Sequence, residues 1–210
     1  MEHIKVRSLA YEYPGEKELS FADFSLNAGE NLLISGDSGS GKTTLLHLLA
    51  GLLTPDKGTV SYCGKDISTM EMANLDRFRG EQIGMIFQKH YFISGISVLE
   101  NLKAARRFAG NKNDHAWLGS LMEQLEISHL ANKKQHQLSE GEQQRFSIAR
   151  ALANEPGWVL ADEPTSSIDD RRCEQFVRLI NQSFSDKKTS WIIATHDQRL
   201  KKYFSTIYPL

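Results

Sequence analysis

The chain has 210 residues with 25 Lys and Arg against 26 Asp and Glu, a formal net charge of −1. Such a balance excludes a global positive field for gathering nucleic acid, and the length suits one large domain or one domain carrying an insertion. Cys63 and Cys173 fit no paired metal spacing and read as reduced thiols of a cytosolic protein, no apolar run approaches the ~18 residues of a spanning helix, and no secretory leader is visible, so the chain is expected neither to be secreted nor to cross a membrane itself.

In chain order, residues 3–9 alternate about Ile4 and Val6 in strand fashion. Phe21, Phe24 and Leu26 predict a second strand, ended by Asn27-Ala28-Gly29, and residues 31–35 a short buried one. A glycine-rich turn covers 36–41. The pattern of 43–53 predicts a helix with Leu45, Leu46, Leu48 and Leu49 facing inward, stopped by Thr54-Pro55-Asp56-Lys57-Gly58. Residues 59–62 and 83–87 read as strands, and 89–153 as mostly helical, with Trp117, Leu118, Leu121, Met122 and Leu125 on one face. Residues 157–161 and 191–194 are apolar runs of strand length, separated by a helix that carries Cys173, Phe176, Val177 and Ile180. Strand, helix, strand at this spacing is a βαβ unit and implies a parallel sheet. The whole reads as a single α/β nucleotide domain, with core at about 1–88 and 156–210 and a helical insertion at about 89–155.

The segment Gly36-Asp37-Ser38-Gly39-Ser40-Gly41-Lys42-Thr43 matches the P-loop pattern in full, between a predicted strand and a predicted helix. Glycines let successive backbone N–H groups turn inward as an anion nest, and the following helix aims its positive end at the same place. Lys42 supplies a point charge for the β- and γ-phosphates, and the Thr43 hydroxyl a ligand for Mg²⁺. A second site follows residues 157–161: Asp162 and Glu163 fall at the carboxyl edge of a parallel sheet, where ligands bind. Asp162 is placed to hold Mg²⁺ through water, and Glu163 to polarise an attacking water.

A third segment, Leu138-Ser139-Glu140-Gly141-Glu142-Gln143-Gln144-Arg145, resembles the signature motif of ATP-binding cassette (ABC) ATPases, usually LSGGQ followed by Gln-Arg. Other marks of that family appear in family order. Tyr13 matches the aromatic that stacks on adenine, Gln88 the Q-loop glutamine, Ser166-Ser167-Ile168-Asp169 the D-loop, and His196 the switch histidine. The resemblance implies a RecA-like P-loop core, a small antiparallel β subdomain and an inserted helical subdomain. It implies ATP bound by Tyr13, the 36–43 loop and Thr44. Mg²⁺ is held by Thr43, Asp162 and Gln88, and hydrolysis is carried by Glu163, His196 and Gln88. Two chains meet head to tail around two ATP molecules, with Ser139, Gly141 and Glu142 of one chain serving the other's γ-phosphate and Asp169 at the interface. Ser139-x-x-Glu142 also reads as a capping box, which would present a helix N-terminus to that phosphate.

The signature departs from the family's usual form, with Glu140 for glycine and Glu142 for glutamine. Both acids suit a helix start and both add negative charge near a phosphate. The segment 79–88, followed by Glu100-Asn101-Leu102, is similar to the lipoprotein-releasing, macrolide-efflux and cell-division branch. That implies an ATPase subunit in the cytoplasm, on the inner face of the cell membrane beneath an integral-membrane permease. Two alternatives use the same motifs: a soluble ATPase acting on nucleic acid or ribosomes, and a regulatory module that signals by nucleotide state. Relatives of the first kind carry a coiled-coil insertion or two cassettes, absent here, so no nucleic acid is expected as a partner.

Overall fold

The structure, a computed structural model, describes residues 3–112, 114–165, 168–182 and 189–210. Two five-stranded sheets organise it. The first is antiparallel about β1 (His3–Tyr11), which pairs with β2 (Leu19–Phe21), β3 (Phe24–Asn27) and β5 (Lys57–Tyr62). The last of these pairs with β6 (Lys65–Asp66). The expected second strand is therefore two short strands, breaking at Ala22-Asp23 while both stay in register with β1. Asp23 has a role in that break: its carboxylate accepts the Ser8 N–H at 2.6 Å where the β1–β5 register shifts.

The second sheet is parallel, in the order β10 (Thr206–Pro209), β4 (Leu32–Ser35), β9 (Ser190–Thr195), β8 (Trp158–Asp162), β7 (Ile83–Ile86). Strands β8 and β9 are buried at every residue, because both faces are covered. Side chains alternate between those faces. Leu32, Ile34, Leu160, Ile192 and Ala194 join α1 (Lys42–Leu49) and the antiparallel sheet in one core. Leu33, Val159, Ala161, Trp191 and Ile193 join α3 (Val98–Phe108), α4 (His115–Gln124), α5 (Glu140–Leu152) and α6 (Asp170–Gln182) in the other. Cys173 lies buried in this second core as its helical spacing implied, whereas Cys63 is exposed.

Helix α1 is shorter than its apolar pattern. The Gly51 N–H bonds the Leu48 carbonyl at 3.0 Å and the Leu52 N–H bonds that of His47 at 2.8 Å. Gly51 takes the left-handed conformation (φ 63°) that this C-terminal turn requires. Helix also begins later than the composition of 89–153 suggests. Residues 89–97 are irregular, and α3 begins where Ser97 and Glu100 form a capping box. Helices α2 (Met72–Gln82) and α7 (Gln198–Lys201) are not predicted from the pattern: α2 has no fully buried residue, with only Leu75 and Phe78 partly buried against the core, and α7 is a single turn. Arg79 fastens α2 further, its Nη1 donating to the Gly51 carbonyl at 2.7 Å. Among the described residues no helix is long and apolar enough to cross a membrane.

Candidate functional site

The parallel sheet gathers the candidate residues by its topology. The 36–43 loop follows β4, Asp162 ends β8, Glu163 is the next residue, His196 follows β9, and Gln88 lies just past β7. All stand at the carboxyl edge of one sheet, with β9 and β8 between β4 and β7.

At the P-loop, Gly41 caps α1 in the left-handed region (φ 98°), a conformation that strains any L side chain, and so turns the chain into the helix. Lys42 is 7 % exposed, and its Nζ donates to the carbonyls of Gly36 at 2.9 Å and Asp37 at 2.7 Å, so the ammonium lies across the loop. Ser40 Oγ is buried without a hydrogen-bond partner among the described residues. A buried cation, an unpaired hydroxyl and a helix N-terminus in one loop fit a polyphosphate. The neighbouring oxygens fit a divalent cation. The Thr43 hydroxyl donates to Asp162 Oδ2 at 2.7 Å, which sets a hydroxyl oxygen beside a carboxylate. Tyr13 reaches the same helix, with its hydroxyl 3.3 Å from Thr44 Oγ1 and its ring edge-on to Tyr11.

Burial pushes the Asp162 carboxyl above its ordinary range. The Thr43 hydrogen bond opposes this, and the charge of Glu163 adds to it. His47, one turn along α1, is pushed down by burial, with Asp162 opposing. A carboxyl whose folded pKa is raised binds its proton better folded than unfolded. Apo stability is then lost as pH rises from the ordinary carboxylate value through the folded one. Asp162→Asn keeps an acceptor for Thr43 and removes the buried charge. It is expected to raise the melting temperature of the nucleotide-free protein at pH 7, with the gain vanishing below the carboxylate range, and to weaken Mg²⁺-dependent nucleotide binding. A pH series of thermal melts checks this, and a variant less stable than the parent at pH 7 contradicts it.

Glu163 has φ 48°, sparsely populated for a residue with a side chain, while its N–H still bonds the Ala194 carbonyl at 2.9 Å. Its side chain is 10 % exposed. The carboxylate accepts from Thr195 Oγ1 at 2.8 Å and from the His196 N–H at 3.2 Å, and meets His196 Nδ1 at 2.7 Å. A carboxylate only accepts, so Nδ1 carries hydrogen in this pair. Glu163 and His196 are therefore engaged with each other, and Thr195, which periodicity marks only as a strand end, fixes the other oxygen.

The capping box at α5 is formed. Glu142 Oε2 accepts from the Ser139 N–H at 2.7 Å and from its hydroxyl at 2.8 Å, while Ser139 Oγ accepts the Glu142 N–H at 3.4 Å. These bonds hold the Glu142 carboxyl below its ordinary range, and Oε1 faces His129 Nε2 at 3.6 Å. Gln144, further along α5, donates to the Pro164 carbonyl and so links the signature helix to the residue after Glu163. A cavity of about 220 Å³ lies beside this helix rather than at the P-loop, lined by Gly141, Arg145, Ile168 and Phe176 among others. Gln88 is exposed. Asp169 is exposed at the start of α6, where its carbonyl accepts the Cys173 N–H at 2.9 Å. Ser166 and Ser167 lie outside the described residues.

Residues 19–166 match the family model described as ABC transporter. The chain is 36 % identical over 190 residues to the lipoprotein-releasing system ATP-binding protein LolD of Hydrogenovibrio crunogenus, covering 90 % of this chain and 83 % of that one. It is 40 % identical over 183 residues to the ATP-binding protein HrtA of Staphylococcus haemolyticus, whose name refers to hemin import, covering 86 % and 82 %. Among solved structures it is similar to a dimeric ATP-binding cassette, MJ0796, in a post-hydrolysis state bound to ADP and Pi. The TM-score is 0.87 at 29 % identity, covering 99 % of this chain and 94 % of that one.

Proposed function

The chain belongs to the ABC transporter family of ATP-binding, ATP-hydrolysing subunits, and on that premise we propose that two copies close head to tail on two Mg-ATP molecules and transmit the closure to a membrane permease. The observation that carries this reading is the convergence of the Lys42–Thr43–Asp162 and Glu163–His196 groups on one sheet edge, with a phosphate-facing type of helix start built elsewhere. The signature helix α5 packs on β7. In this reading the Ser139–Gly141 end serves a second chain's nucleotide, in keeping with the dimeric state of the similar MJ0796 cassette.

In this reading Tyr13 stacks on adenine. The backbone from Gly36 to Gly41, with Ser38, Gly39 and Ser40, cradles the phosphates together with Lys42 and Thr44. Thr43, Asp162 and Gln88 would hold Mg²⁺, which would supply positive charge to the phosphates. Glu163 accepts a proton from the attacking water, which requires it to exchange its hydrogen bond with His196 for one to that water, while His196 turns to the γ-phosphate. Asp169 meets the partner chain. Closure moves the helical insertion at about 89–155 with the Gln88 loop, a two-state element biased by the γ-phosphate. The permease would be an integral-membrane protein of the lipoprotein-releasing, macrolide-efflux and cell-division type, placing the ATPase in the cytoplasm on the inner face of the membrane. Pull-down of tagged Glu163→Gln protein from detergent-solubilised membranes, with and without Mg-ATP, tests this. Recovery of a multi-span permease is expected, and recovery of soluble partners or ribosomes alone contradicts the transport reading.

The acidic signature makes a further prediction. Glu142 is ionised and its charge lies at the helix end offered to a phosphate. A like-charge pair at ~4 Å in a high-dielectric setting is worth about 1 kcal/mol, or about fivefold in an equilibrium. Glutamine at this position keeps the capping box, so Glu142→Gln is expected to tighten ATP-driven dimerisation by up to about fivefold for each of the two ATP sites. Dimerisation midpoints measured in Mg-ATP check it, and an unchanged midpoint refutes the effect.

A further inference from the structure

We propose that Arg199 is a positioning residue for hydrolysis, tying the segment that leaves Glu163 to the turn that carries His196 so that the pair is aligned as one unit. The proposal rests on the roles given above to Glu163 and His196. Arg199 sits in α7 (Gln198–Lys201), a four-residue helix near the end of the chain, and in sequence it passes for a solvated surface charge.

Its guanidinium is in fact shared among four groups. Nε donates to both oxygens of Asp197 at 3.0 Å, and Nη2 adds a bond to Oδ2 at 2.8 Å. Nη1 donates to Asp170 Oδ1 at 2.7 Å. The remaining N–H groups reach back to the chain after Glu163, to the Ile168 carbonyl at 3.2 Å and the Thr165 carbonyl at 3.2 Å. The planar fork of arginine supplies these directions together, and a lysine ammonium does not.

Asp197 closes the circuit. Its Oδ2 accepts from Thr165 Oγ1 at 2.7 Å, and Thr165 is fully buried. Its N–H donates to Thr195 Oγ1 at 3.0 Å, and that hydroxyl donates to Glu163 Oε2 at 2.8 Å. Starting from Glu163, the chain runs to Thr165, crosses to Asp197, passes to Thr195 and returns to the Glu163 carboxylate. The Arg199 fork holds the Asp197 carboxyl down at about 2, so the pair stays charged throughout the neutral range.

Among the described residues, Thr165, Ile168 and Asp169 belong to no strand, and the chain reaches Thr165 through Pro164 from a left-handed Glu163. The Thr165 carbonyl also accepts the Ile168 N–H at 3.3 Å, and side-chain donors add to such backbone bonds where no ladder holds the loop. Arg199 supplies them to the Thr165 and Ile168 carbonyls and anchors the first residue of α6. Since Asp169 lies between those anchors, the same tie would carry the partner chain's arrival to Glu163. The circuit is built from residues 163–165, 168, 170, 195, 197 and 199 rather than from the 36–43 loop, so the effect should fall on turnover rather than on nucleotide binding.

The test is steady-state ATP hydrolysis by Arg199→Met and Arg199→Lys, beside Glu163→Gln and Arg77→Met. Arg77 is an exposed arginine paired with Glu81 at 2.8 Å, and its loss is expected to leave activity unchanged. Arg199→Met is expected to lower kcat about tenfold with KM for ATP within about twofold, since small misplacements of catalytic groups act on the chemical step. Arg199→Lys should recover less than half of the loss. If Arg199→Met fails to fold, Thr165→Val, a buried near-isostere lacking only the hydroxyl tie, is expected to lower kcat about threefold with KM unchanged. Wild-type kcat in a folded Arg199→Met, full recovery by lysine, or a loss confined to KM overturns the proposal. If Glu163→Gln turns over like the wild type, the role of Glu163 fails and takes this inference with it. If Glu163→Gln is inactive and Arg199→Met is normal, the inference fails alone.

Discussion

Replacing Glu163 by glutamine is expected to lower ATP turnover by about 10³-fold while leaving Mg-ATP binding within about twofold, the middle of the range for losing a general base. Glutamine nearly matches the shape of glutamate and sits on the same left-handed backbone, and its one carbonyl oxygen can still accept the His196 N–H, while its amide nitrogen replaces the oxygen that accepted from Thr195. What it loses is the capacity to take a proton. The phosphate cradle contains none of these atoms, so affinity should persist. The change also removes a negative charge beside Asp162, which relieves part of what raises that carboxyl. Phosphate release under saturating Mg-ATP, read beside binding of a fluorescent ATP analogue, separates the two quantities. A variant that keeps more than about a tenth of the parent turnover would exclude Glu163 as the base.

Lys42→Ala is expected to act on the opposite quantity. Charge-assisted hydrogen bonds in a sheltered site are worth about 1.5–3 kcal/mol, so ATP affinity should fall by roughly 10- to 150-fold. Without nucleotide the side chain bridges two carbonyls of its own loop, and these can turn to water when the ammonium is removed. The nucleotide-free protein should therefore melt within a few degrees of the parent, while the stabilisation by saturating ATP disappears. Thermal melts across an ATP titration check this. Undiminished stabilisation by ATP in Lys42→Ala would place the nucleotide somewhere other than the 36–43 loop.

How far the sequence reveals this protein depends on which physical signal each part leaves. The P-loop, Asp162 and Glu163 are legible because buried strands of Val, Leu, Ile and Ala end abruptly in glycines or acids. The parallel sheet follows from the strand–helix–strand spacing of 157–194, and β8 and β9 are direct neighbours. The capping box at Ser139 is legible because it needs only local spacing. Helix α2 left little signal, since only Leu75 and Phe78 on it are partly buried against the core. Strand β10, of Thr206, Ile207, Tyr208 and Pro209, is too short and mixed to announce itself before β4 offers it an edge. The circuit of Thr165, Thr195, Asp197 and Arg199 is invisible for another reason. It joins residues about 30 positions apart through side chains that look individually like surface polars. A fully buried threonine and an arginine with two carboxylate partners are facts of tertiary structure.

A nucleotide shared between two copies of this chain must itself bring the copies together. Sedimentation velocity of Glu163→Gln protein, without nucleotide, with Mg-ADP and with Mg-ATP, tests it most directly. A dimer is expected in Mg-ATP alone, with two ATP molecules bound per dimer, and it should be lost when Ser139→Arg blocks the α5 helix start. A monomer that remains saturated with Mg-ATP at its P-loop would contradict it, because the Ser139–Gly141 end would then have no phosphate to meet.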